Sequence, residues 1–188
     1  MIIALILTGL FVLLILLWVI MTGNAFIAKN TRVQQTESSI FVMLKQRNDM
    51  IPNLVASVQT YMGHESATLT KIAELRSLYQ QAASQQEQME IGAQLSKSLA
   101  EVKVAVEAYP ELKANAHFKT LNASIEEMEY QLQAARRTFN AAIADYNNFV
   151  LMFPSSIIAA MKKYSPRELI TIPESEHTNV NVSALFRS

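Results

Sequence analysis

The chain has 188 residues, room for one domain of ordinary size and an accessory segment, and its 16 basic and 16 acidic side chains cancel to a net charge of +0. With 17% charged residues and no basic excess it lacks the electrostatic footprint of a protein that neutralises phosphates, which argues against a nucleic-acid partner. Cys 0 excludes a disulfide framework, a thiolate nucleophile and a cysteine metal site, and Gly 4, Pro 5 and the lack of alternating β-branched runs point to an all-α fold.

Residues 2–21, from Ile2 to Met21, are apolar except for Thr8 and Gly9, and the first charged side chain is Lys29. About 20 such residues at about 1.5 Å each match a hydrocarbon core of about 30 Å, and a helix satisfies its own backbone hydrogen bonds in lipid. Trp18 stands near the end of the run, where an amphipathic ring suits the membrane interface. A cleaved signal peptide, with Gly23 and Ala25 around the cut, is the rival reading. It lacks a basic leading region, and the apolar run exceeds the usual length of about 7 to 15 residues. The expectation is a single-pass anchor over residues 1–22 in the cell (inner) membrane, with the lipid bilayer as first partner. Lys29 and Arg32 follow the span, so the positive-inside bias favours an outside amino terminus and a cytoplasmic carboxy-terminal domain.

Beyond Thr22, Gly23 and Asn24 a periodic pattern resumes at Val33. Ile40, Leu44, Arg47, Ile51, Leu54, Val58 and Tyr61 alternate at spacings of four and three, and Pro52 falls inside them. Two readings are open at Pro52: a new helix capped by Asp49 with the proline in its first turn, or one helix that continues with a kink. The seam keeps its phase across the proline, which favours the kinked helix. Gly63 suits a C-cap.

A second helix is expected from His64 and Glu65 to Ala83, with Thr68, Ile72, Leu75, Tyr79 and Ala82 on one face, followed by a turn over residues 84–88. A third carries Gly92, Leu95, Leu99, Val102, Val106 and Tyr109 and ends at Pro110, since the residue before proline is pushed out of the helical region. After a lead of residues 111–115 comes the longest pattern of all. Phe118, Leu121, Ile125, Met128, Leu132, Ala135, Phe139, Ala142, Tyr146, Phe149 and Phe153 alternate by three and four, and Pro154 closes the stretch. Such a seam needs helices of its own length to pack against. Short connections between long helices imply antiparallel neighbours, hence an up-and-down four-helix bundle over residues 23–163. Residues 155–164 suit a brief amphipathic helix, and the polar tail, residues 164–188, is expected to be extended or disordered.

The run Leu44-Lys45-Gln46-Arg47-Asn48-Asp49-Met50-Ile51-Pro52-Asn53-Leu54-Val55 resembles the LemA family, as do Tyr61 and His64-Glu65. The likeness continues through Tyr109-Pro110-Glu111-Leu112-Lys113-Ala114-Asn115, Phe118 and Leu121, then Ala135-Arg136-Arg137, Asn140, Tyr146-Asn147 and Phe153-Pro154. Gly23 stands where the family has a tyrosine near Asn24 and Ile27, and Phe139 where a tyrosine is usual. The resemblance implies a membrane-anchored helical bundle with its amino terminus outside and no established molecular function.

Several of these positions carry groups that packing alone does not require. Arg47 lies on an apolar seam, where an unpaired guanidinium would cost several kcal/mol, so it needs a carboxylate, Glu126 or Glu129, or must snorkel outward. Adjacent Arg136 and Arg137 point about 100° apart, so at most one lies beside the seam. Asn53, Asn140 and Asn147 suit hydrogen bonds between helices.

Catalytic patterns are missing. His64-Glu65 is followed by Thr68 where a zinc helix needs a second histidine, and Glu174-Ser175-Glu176-His177 is a single Glu-x-x-His in the tail. His117 stands near a helix start, and neither a phosphate loop nor a nucleophile elbow is present. A non-enzymatic protein without cofactor or metal is expected: a membrane interaction or scaffold module, a self-assembling homo-oligomer, or a signalling element working through Pro52.

Overall fold

The structure is a computed structural model that describes residues 1–62 and 67–170. Its regular elements are all helical among the described residues: α1 (Ile2–Met62), α2 (Ala67–Gln81), α3 (Gln85–Val106), α4 (Pro110–Ala114), α5 (Ala116–Leu151) and α6 (Ser155–Lys162).

The apolar run and the periodic stretch beyond it belong to a single element. α1 is one helix of 61 residues, about 90 Å long, and passes through Gly23 without interruption. A helical glycine costs about 1 kcal/mol against alanine, too little to stop a helix whose flanks both propagate well. The buried seam also begins earlier than Val33, at Thr22 and Phe26. The apolar run and the helix that carries Arg47 are therefore one rod. The apolar part of α1 reaches a mean hydropathy of 3.1 and lies open on the surface, long and apolar enough to cross a membrane. Pro52 is inside α1, so the helix continues there and Asp49 does not cap a new one.

α5 runs antiparallel to α1 and packs along it more extensively than any other pair of elements. The direction is fixed by three cross-links: Lys29 with Asp145, Arg47 with Glu129, and Tyr61 with Asn115. α2 and α3 form a second antiparallel pair that rests on α1 mainly through α2. The core follows this plan, with Leu44, Ile51, Ile72, Leu95, Leu132 and Ile143 among the most buried side chains.

The expected turn over residues 84–88 is shorter. Ser84 caps α3 by accepting from the Glu87 N–H at 3.1 Å, and the Glu87 carboxylate accepts from the Ala83 N–H at 2.8 Å. This Ser-x-x-Glu spacing is a helix-start signal hidden within a polar run. On α2, Leu69 takes the buried position expected of Thr68. α3 ends at Val106, and Pro110 opens the short α4 as its first residue, where the missing N–H costs nothing. Asn115 then caps α5, its side-chain oxygen accepting from the Phe118 N–H at 3.1 Å.

The α5 seam also departs from the strict pattern. Phe118, Ile125, Leu132, Phe139 and Tyr146 are buried as expected, one per heptad, but the row beside them shifts by one residue, so that Arg136, Ile143 and Val150 are buried while Ala135, Ala142 and Phe149 are half-buried and Phe153 is exposed. An α-helix of 3.6 residues per turn drifts about 20° per heptad against a 3.5-residue repeat, so over five heptads the buried face slides round the helix.

Candidate functional site

Arg47 projects from α1 into the place where α1, α3 and α5 meet, and is 1% exposed. One terminal nitrogen, Nη1, donates to Glu129 Oε1 at 2.6 Å and to Ser96 Oγ at 2.5 Å; the other, Nη2, donates to the Gly92 carbonyl at 2.7 Å. The Ser96 hydroxyl lies 3.0 Å from Glu129 Oε2 and 3.2 Å from the Gly92 carbonyl, so it passes a hydrogen bond on to one of them. Of the two acids eligible by sequence, Glu129 is the partner. Glu126 instead pairs with Lys103 across α3 and α5 at 2.6 Å, and the Lys103 ammonium holds its carboxyl below the usual range.

Gly92 makes the approach possible. A Cβ there would lie 2.7 Å from Leu44 Cδ2 and 3.2 Å from Arg47 Nη2. Ser96 follows one turn later on the same face. Neither residue was a candidate for the arginine by sequence; the Gly-x-x-x-Ser spacing opposite a lone seam arginine was the available signal. Tyr79 is buried nearby, and burial pushes its phenol up, Arg47 opposing and Asp49 adding to the rise.

α3 and α5 diverge beside this network and leave a groove of about 850 Å³. Ala93, Leu99, Ala100 and Ile125 give it an apolar lining, and Lys97, Glu129 and Arg136 add charge. Arg136 is buried and Arg137 exposed, in line with their 100° separation.

A third arrangement corrects the expected role of two asparagines. Asn140 and Asn147 do not join helices but hold the start of the tail. The Asn147 amide donates to the Arg167 carbonyl and accepts from the Arg167 N–H, both at 2.8 Å; Asn140 pairs likewise with Ile170, at 2.9 and 3.0 Å. Seven helical residues advance about 10 Å, as do three extended ones, so the two registers match. Arg167 also reaches Asn30 on α1 at 2.6 Å and lies over the Tyr146 ring. The described tail, up to Ile170, is extended along α5.

The remaining motif residues have structural places. Tyr61 accepts a hydrogen bond from Asn115 at 3.0 Å. Asn53 is exposed, about 200° round the helix from the buried Ile51, and so joins no helices. Asp49 is exposed, Tyr109 is half-buried between α3 and α4, and Tyr146 packs edge-on to Phe26. Gly63, His64 and Glu65, and Glu174 to His177, lie outside the described residues. Among the described residues no group of three His, Cys, Asp or Glu side chains converges on a point where a metal would bind. The polar chemistry of the Arg47 site is directed inward, joining three helices.

Comparison with known proteins gives two matches. The sequence model of the LemA family matches residues 36–184. A protein of Metamycoplasma hominis, described as Protein LemA, is 23% identical over 163 residues, 86% of this chain and 74% of the relative.

Proposed function

Because the chain belongs to the LemA family, we propose that it is a non-enzymatic, membrane-anchored interaction module whose four long helices form an antiparallel bundle presenting the α3–α5 groove to another protein. The observation that carries this reading is the groove itself. It is open to solvent, with Ala93 and Ala100 at its mouth over the buried Leu99 and Ile125, and it belongs to a body that the unbroken α1 joins to the apolar run. Grooves of this kind receive an amphipathic helix, apolar face inward, with charged rims fixing its direction. The anchor crosses the cell membrane once with the amino terminus outside, as Lys29 and Arg32 beyond the span favour.

The test is a photo-crosslinking amino acid placed at Lys97 or Gln133 of the full chain in its own membrane. The expected result is one protein partner at both positions, lost when Ala100→Trp fills the groove. Crosslinks only between two copies of the chain would replace this reading by self-assembly into a homo-oligomer.

A further inference from the structure

The corner where α5 gives way to α6 lies beside the last turns of the apolar run of α1. Trp18 and Thr22, on the last turns of the apolar run, line a cavity of about 330 Å³ together with Phe149, Met152, Phe153 and Ser155. Trp18 precedes Met21 by three residues, about 4.5 Å along the helix axis. The antiparallel course of α5 brings its end down to that level: Lys29 meets Asp145 first, then the Phe26 ring packs at a tilt against Phe149 with centroids 4.6 Å apart.

At this depth the corner is apolar outward. Leu151 is 66% exposed, Met152 62% and Phe153 81%, and α6 adds Ile157 and Met161, four residues apart on its outer face, while Ile158 and Ala159 face inward. Residues 151–161 contain no Asp, Glu, Lys or Arg, and Lys162 and Lys163 follow at once. In water such a contiguous patch is costly; beside a bilayer it matches the interfacial pattern of an apolar face followed by basic residues. The run is too short to span. Its backbone is also prepared for a medium poor in water. The Ser155 hydroxyl lies 2.6 Å from the Phe149 carbonyl and 2.9 Å from that of Met152, and the Met152 and Pro154 carbonyls accept from the N–H groups of Ser156 and Ile157.

We propose that the α5–α6 corner is a second membrane contact, seated in the lipid interface beside the span, with Phe153, Ile157 and Met161 among the acyl chains and Lys162 and Lys163 at anionic headgroups. This rests on the reading that the apolar half of α1 crosses a bilayer. It gives the helical body a fixed tilt and face on the membrane, which a single span does not.

Trp18 is the chain's one tryptophan, so fluorescence tests the proposal directly. The full chain is reconstituted in vesicles of zwitterionic and anionic phospholipid, with shallow-brominated acyl chains or an aqueous quencher. F153W and M161W are each made in a Trp18→Phe background, and Y130W, some 34 Å up α5, is the water-side control. Both corner variants should be quenched by brominated lipid as wild-type Trp18 is, and by the aqueous quencher at least about three-fold less than Y130W. Aqueous quenching of both at the level of Y130W, with Trp18 still lipid-quenched, would overturn the proposal while leaving the span intact. Trp18 open to the aqueous quencher would remove the span reading and this one with it. Corner variants shielded from both quenchers would show that protein, not lipid, covers the corner.

Discussion

Arg47 and Glu129 stand 82 positions apart in the chain and meet at 2.6 Å, the guanidinium sealed beneath α3 and the carboxylate at the edge of the groove. The pair joins the two longest helices at one register, and the Gly92 carbonyl and Ser96 bring α3 into the same arrangement. A slip of one turn between α1 and α5 would leave a buried charge unpaired.

Removing one partner should therefore cost far more than removing both. Glu129→Ala is expected to destabilise the fold by about 3–5 kcal/mol, because Arg47 cannot reach water. Arg47→Leu combined with Glu129→Gln should cost clearly less. Urea unfolding in detergent, followed by helical circular dichroism, measures both, and equal losses would contradict the argument.

Gly92→Ala sets two effects against each other. Alanine gains about 1 kcal/mol of helix propensity, whereas crowding Leu44 and Arg47 in a filled core costs about 1–3 kcal/mol. A net loss of about 1 kcal/mol is expected, with Leu44→Ala in the same chain recovering the clash but opening a cavity.

The tail clamp is open to proteolysis. Asn147→Ala removes two hydrogen bonds of about 1 kcal/mol each, so tryptic cleavage after Arg167 should accelerate by about 30-fold through easier local opening. Asn140→Ala should act in the same direction from the Ile170 end. An unchanged cleavage rate in both variants would mean that the amides do not hold the tail.

Pro52 lies on the exposed side of α1, within a helix that runs on past it. Pro52→Ala restores a donor for the Asn48 carbonyl and should stabilise the fold by about 1–3 kcal/mol. A loss of stability would show that the proline ring is packed to advantage.

Tyr79 gives a pH dependence of known sign. Burial, and behind it the Asp49 carboxylate, raise its phenol above the ordinary value of about 10, with Arg47 opposing. The unfolded chain then releases this proton more readily than the folded one. Its contribution is present below about pH 10 and is lost as pH rises through the folded value. Stability curves of wild type and Tyr79→Phe should run parallel below about pH 10, with wild type falling more steeply above it.

What the sequence alone determined about this chain was whatever depends on neighbours within a few turns. The apolar run, the helical class, the continuity of α1 across Pro52 and the need of Arg47 for a carboxylate all follow from local periodicity and from the cost of burying charge. The tertiary structure decided the rest. Glu126 and Glu129 differ by three residues on one helix, and only the rotation of α5 against α1 gives Arg47 to the second. The slide of the α5 seam from Ala135 to Arg136 is a small mismatch per heptad that shows only when a whole helix is packed. Asn140 and Asn147 look like polar residues between helices until an extended segment of the same chain lies beside them. A side chain's chemistry limits the kinds of partner it can accept, but which partner it meets depends on the relative placement of distant segments, and that is fixed only when the helices pack together.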